Sequence, residues 1–243
     1  ISVLHVYIAH FAVGGGMFIW LTDRKALLEG SAALDDYLRE HNWFFLLLTM
    51  VFGGVSGVGI WFIIGLVSPA ATSSLIHTFV FAWGVAWTFF LGEIIALLIY
   101  HYYFDTMKRH LRLKVAFLYF VFAWMSLLVV NGILSYMLTP GAWPESRAFW
   151  DGFLNPGFIP STVFRSFVAF MFAGLFGYVT AVRMEEGEFR TRMMRYCTKW
   201  LLYPMTGLVL SGAWYLYAVP GEIRYTAFII NPEMDPYVRT VVI

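Results

Sequence analysis

Six long apolar stretches run along the chain, and polar segments of different lengths separate them. The stretches cover residues 1–21, 43–67, 73–104, 115–137, 162–182 and 200–217. An α-helix needs about 20 apolar residues to cross the hydrocarbon core of a bilayer. Backbone groups in lipid must hydrogen-bond within the protein, and the stretches lack the alternation of barrel strands. The pattern therefore predicts an all-α membrane protein with about six transmembrane helices in one bundle, residues 1–218.

The polar segments predict an orientation for this bundle. Predicted loops at 22–42, 105–114 and 183–199 lie on one side and contain twelve of the sixteen basic residues: Arg24, Lys25, Arg39, Lys108, Arg109, Arg112, Lys114, Arg183, Arg190, Arg192, Arg195 and Lys199. The positive-inside rule places these loops in the cytoplasm and the N-terminus outside. Aromatic residues in 139–161 predict an interfacial segment on the outer side. Residues 219–243 are predicted to be an extracytoplasmic segment leading to a further helix, in a longer polypeptide.

Composition narrows the classes of function. Hydrophobic residues make up 60% of the 243 residues and charged residues only 13%, against about a quarter charged in soluble domains. The net charge of +1 gives no electrostatic basis for binding nucleic acid. The single cysteine, Cys197, excludes an internal disulfide and a CxxCH haem attachment. The lipid bilayer is therefore the expected surrounding, and nucleic acid is not an expected partner.

His10 is the first candidate for chemistry. It lies in an apolar run and is followed by Gly14, Gly15 and Gly16. A neutral imidazole at that depth usually faces the bundle interior and has a partner. The glycines would allow either a flat macrocycle or a neighbouring helix to come close. His41 and His110 are predicted to lie in cytoplasmic loops.

Glu93 is the second candidate, in the middle of the third stretch. A carboxyl group in lipid is protonated, paired, or bound to a metal or a proton path; a structural interhelical hydrogen bond is the alternative. His77 precedes it by sixteen residues, about 24 Å along a helix, so the two cannot bind one metal. His77 could instead bind a second cofactor near the outer surface, and an ordinary interfacial histidine is the alternative. Arg165 begins the fifth stretch and is either a snorkelling arginine or the partner of an anionic group.

Several short motifs occur in an order that resembles subunit I of the cytochrome bd-type quinol oxidases. They are FGGVSGVGI at 52–60, FFLGE at 89–93 followed by Asp105, Asn131-Gly132, Thr139-Pro140, Leu154-Asn155-Pro156 and GYVT at 177–180. The resemblance spans essentially the whole chain. It implies that His10 matches a haem-ligating histidine and Glu93 matches a carboxylate near the haem pair. The sequence departs from the family at Val85, a missing carboxylate, at Ile133, a missing tryptophan, and after His110, where no histidine follows.

The resemblance implies a haem-binding subunit of a bd-like respiratory complex that transfers electrons between quinol and a partner protein. The expected site has Glu93 as catalytic residue, His10 and Glu93 as metal ligands, and His10, His77 and Arg165 as cofactor-binding residues, with Arg165 paired to a haem propionate. Haem b is the expected cofactor, quinol the substrate, and other membrane or cytochrome subunits the partners. The expected location is the inner membrane of a bacterium or archaeon. Three alternatives stay open: a quinol-dependent oxygen reductase in which a residue such as His77 replaces a lost ligand, a cofactor-free scaffold, and a transporter.

Overall fold

The computed structural model describes residues 1–225, and their regular structure is helical throughout. A π-helical segment, Leu47–Gly53, joins the α-helices Ala32–Leu46 and Gly54–Val67 in one continuous helix. The predicted segment 219–243 lies largely outside the described residues. The α-helices are α1 (Ser2–Glu29), α2 (Ala32–Leu46), α3 (Gly54–Val67), α4 (Pro69–Thr78), α5 (Val80–Tyr102), α6 (Arg109–Tyr136), α7 (Trp143–Ser146), α8 (Phe149–Phe153), α9 (Phe158–Val182), α10 (Glu188–Ala218) and α11 (Gly221–Tyr225).

Five helices in this part of the chain are long and apolar enough to cross a membrane. They are α1, the continuous helix from Ala32 to Val67, α5, α6 and α9. The sixth predicted span falls in α10, whose apolar half contains polar and aromatic residues such as Tyr203, Thr206 and Ser211 that lower its mean hydropathy. The all-α membrane architecture is thus confirmed, with five clear spans and a sixth, more polar helix.

The helices are longer than the apolar pattern predicts. The predicted loop 22–42 shrinks to Gly30, which has a φ of 60°, and Ser31, whose side chain accepts a hydrogen bond from the Leu34 N–H and so caps α2. The loop 183–199 likewise shrinks to 183–187. By contrast, the third stretch is broken at Phe79, which has non-helical angles of φ −118° and ψ 28°.

Helix α1 lies at the centre of the bundle and packs against α2, α6 and α9, while α5 pairs with α6 and α10 with α9. Its three glycines are the points of closest approach. A Cβ on Gly14 would overlap the Ala169 carbonyl group of α9, and one on Gly16 would come within 2.6 Å of the Tyr119 ring of α6. Neighbouring helices, and not open space for a macrocycle, therefore explain these glycines in this structure.

A buried ion-pair cluster joins four helices where α1 ends. Arg112 of α6 donates to both carboxylate oxygens of Asp23 on α1, at 2.5 and 2.8 Å, and to Asp35 on α2 at 2.7 Å. The Tyr100 hydroxyl of α5 donates to Asp23 at 3.1 Å, and Arg109 also pairs with Asp35. The Asp23 and Arg112 side chains are only 1% and 5% exposed. These partners are why polar residues near Asp23 remain helical and buried, where the sequence pattern predicts a loop.

Candidate functional site

The hydrogen bond made by His10 fixes which nitrogen of its ring is free. His10 is 4% exposed, and its Nδ1 lies 2.6 Å from the carbonyl oxygen of Val6, one turn earlier in α1. A carbonyl oxygen only accepts, so Nδ1 carries the proton and donates. In the neutral ring Nε2 then has an unshared lone pair, and it has no hydrogen-bond partner among residues 1–225. This arrangement, one nitrogen anchored to a carbonyl and the other free, is typical of metal-binding histidines.

A cation lies close to His10. Arg165 of α9 is half-buried and near enough for its charge to act on the imidazole and on Tyr215 of α10. Within the described part of the chain its guanidinium has no ion pair and no hydrogen bond. The Phe172 ring, 6.5 Å from that of His10, lies on the same side of α1. His10 and Arg165 therefore lie within electrostatic range of each other, His10 with a nitrogen lone pair and Arg165 with an unpaired positive charge. This pair of groups fits a cofactor whose iron binds the nitrogen and whose acidic substituent pairs with the cation.

Glu93 faces a different neighbour. The Tyr119 hydroxyl of α6 lies 3.0 Å from Glu93 Oε1 and 3.1 Å from the Ala12 carbonyl oxygen of α1. A tyrosine hydroxyl has one proton, and a carbonyl oxygen can only accept it. Both contacts are satisfied at once if Tyr119 donates to Ala12 and a protonated Glu93 donates to Tyr119. The geometry thus favours Glu93 as a neutral carboxylic acid, in agreement with the cost of a charge in lipid.

His10 and Glu93 lie on opposite sides of α1. Gly14, which faces α9, is about 40° around the helix from His10, whereas Ala12 and Gly16, which face Tyr119, are about 200° and 240° from it. Residues 1–225 contain no group of three or more His, Cys, Asp or Glu side chains that could hold a metal. The structure therefore does not bring His10 and Glu93 together around one ion. Glu93 as a metal ligand stays a prediction.

His77 is exposed on α4, which packs against α3 and α5. Its Nδ1 lies 2.7 Å from the Ser73 carbonyl oxygen, so its Nε2 also has a free lone pair. It belongs to a different part of the bundle from His10. Its role in binding a cofactor stays a prediction.

The prediction that His41 lies in a cytoplasmic loop is wrong. His41 is fully buried on α2, with Nδ1 2.8 Å from Thr180 Oγ1 and Nε2 unpartnered. Its ring lies between Phe18 and Tyr37, at centroid distances of 5.3 and 5.7 Å. The spacing of the buried α2 residues could have revealed this, because positions 34, 37, 38, 41 and 45 form one helical face.

Comparisons with known proteins relate this fold to solved structures. The bd oxidase from Geobacillus thermodenitrificans superimposes with a TM-score of 0.77 at 15% sequence identity, over 88% of this chain and 52% of that chain. No protein-family description and no curated protein matches the sequence. At this identity the likeness concerns the fold, which is that of a bd oxidase subunit. The chain spans about half the length of the solved one.

Proposed function

We propose that this chain is a haem-binding membrane subunit of a bd-like respiratory complex and transfers electrons between quinol and a partner protein. The observation that carries the proposal is the state of His10, a buried imidazole with Nδ1–H bonded to Val6 and a free Nε2 next to the unpaired cation of Arg165. The likeness of the fold to a bd oxidase supports the same function. A free ring nitrogen and a half-buried charge are costly in lipid without a ligand that satisfies them.

Each residue has a distinct role in this proposal. His10 would hold the iron of haem b through Nε2, and Arg165 would pair with a carboxylate of the same group. Haem supplies reversible one-electron transfer at a potential that its axial ligand and its burial set. Glu93 holds a proton at Oε, hydrogen-bonded to Tyr119, and can exchange it as quinol oxidation releases protons with electrons. His77 would bind a second cofactor.

We also propose a membrane location and partner subunits for this chain. Twelve of the sixteen basic residues lie in the segments 22–42, 105–114 and 183–199, which supports an N-terminus on the outside. The likeness of the fold to a bd oxidase supports the inner membrane of a bacterium or archaeon as the location. Other membrane or cytochrome subunits would complete the complex.

The test is the haem content of the purified protein and of two histidine variants. We expect a pyridine haemochrome spectrum from the parent, its partial or complete loss in His10→Ala, and no change in His110→Ala, which removes an exposed histidine from α6. Parent protein without haem, or an unchanged spectrum in His10→Ala, would remove the ligand assignment.

Two other functions have an observation in their favour. Close packing at Gly14 and Gly16 favours a cofactor-free scaffold, which the same spectrum tests by the absence of haem. The free Nε2 of His77 favours a quinol-dependent oxygen reductase with a displaced ligand. Oxygen consumption with a reduced quinol, lost in His77→Ala, is the result expected of that enzyme.

A further inference from the structure

One face of α10 changes from positively charged to apolar along its length. Arg192, Arg195 and Lys199 are all exposed and follow one another at spacings of three and four residues, so they form one cationic face. Within residues 1–225, Arg195 and Lys199 have no ion pair and no hydrogen bond. Arg192 shares the Glu29 carboxylate, at 3.2 Å, with Lys25 of α1. The cationic face therefore has more positive charge than its neighbours neutralise.

The same face continues as an apolar surface. Three and four residues beyond Lys199 lie Leu202 and Tyr203, and a further two turns on lies Leu210; Tyr203 is 71% and Leu210 74% exposed. A groove of about 440 Å³ opens at the charged end, lined by Glu188, Thr191, Arg192 and Arg195. A charged groove that leads onto an apolar strip has the shape and polarity of a phospholipid, with a phosphate at one end and acyl chains at the other.

From this juxtaposition we infer that the α10 face binds an anionic phospholipid, with its phosphate in the groove between Arg192 and Arg195 and its acyl chains along Leu202, Tyr203 and Leu210. The apolar strip is what distinguishes a lipid from free phosphate, because inorganic phosphate would gain nothing from it. Glu188 lies in the groove and opposes the phosphate, so it weakens the site. This inference requires only that the bundle lies in a membrane and does not rest on the haem proposal.

The experiment counts bound lipids on the full-length purified chain by native mass spectrometry during a titration with phosphatidylglycerol or phosphatidylcholine. We expect phosphatidylglycerol to bind more tightly, and Arg195→Gln and Lys199→Gln each to weaken it by about fivefold. Glu188→Gln should strengthen binding, an increase that a merely structural role would not produce. Lys114→Gln, which removes one exposed charge from α6 near the same end of the bundle, should leave binding unchanged.

Three outcomes would overturn the inference. Equal affinity for the two lipids would show that the cationic face does not select the anionic lipid. A loss in Lys114→Gln as large as that in Arg195→Gln would show only a general attraction to positive charge. Displacement of phosphatidylglycerol by an equal concentration of inorganic phosphate would point to a phosphate site without an acyl-chain contribution.

Discussion

Replacement of Arg112 by methionine, which keeps a long side chain but removes the charge, should destabilise the bundle strongly. Arg112 makes the two shortest contacts to Asp23, at 2.5 and 2.8 Å, and the two side chains are 5% and 1% exposed. Without Arg112, the Asp23 carboxylate keeps the Tyr100 hydroxyl at 3.1 Å. Removal of one partner of a buried ion pair typically costs about 3–5 kcal/mol. We expect a loss within that range, because the remaining hydrogen bond is to a neutral group.

The assay is reversible unfolding in mixed micelles, followed by circular dichroism. Arg39→Met is the matched control, since Arg39 bonds to Asp105 at 2.6 Å but is 51% exposed. The hydrogen bonds from Arg39 hold the pKa of the Asp105 carboxyl below its usual range. An exposed ion pair nevertheless contributes only about 0–1 kcal/mol to the free energy of unfolding.

The double variant Asp23→Asn with Arg112→Met separates charge from packing. It leaves no buried charge without a partner at Asp23, so it should be more stable than Arg112→Met alone. If Arg112→Met lost less than about 1 kcal/mol, or if the double variant lost the full sum of the single losses, the argument from burial would be wrong.

Two further predictions concern close packing and the proton on Glu93. Gly14→Ala should lower the free energy of unfolding by at least about 1–3 kcal/mol, because the new methyl group meets the Ala169 backbone. Gly54→Ala, with nothing within 4 Å of the new methyl group, should be neutral or stabilising in the same unfolding assay. Equal effects of the two substitutions would contradict the packing argument. Glu93→Gln should remove a protonated-carboxyl band from the infrared spectrum at neutral pH, while Glu186→Gln, whose side chain is 92% exposed, should not. A spectrum that Glu93→Gln leaves unchanged would show that Glu93 is not a protonated carboxyl group.

The membrane class, the helical architecture and the burial of His10 could all be predicted from the pattern of residues along the chain. These follow from the length of apolar runs, because a backbone in lipid has few ways to satisfy its hydrogen bonds. The helix ends did not follow. Residues 22–42 contain polar groups that normally indicate a loop, and the partners that allow Asp23 to be buried, Tyr100 and Arg112, come from helices far along the chain.

Which candidate residues meet depends on how the helices pack. His10 and Glu93 both carry polar groups into the membrane, yet the rotation of α1 directs His10 toward Arg165 and leaves Glu93 to Tyr119 on the other side. His41 became buried because α1 and α9 cover the face of α2 on which it lies. Hydropathy measures how costly a group is in lipid. Which group relieves that cost depends on contacts between helices distant in sequence, and these only the packed bundle specifies.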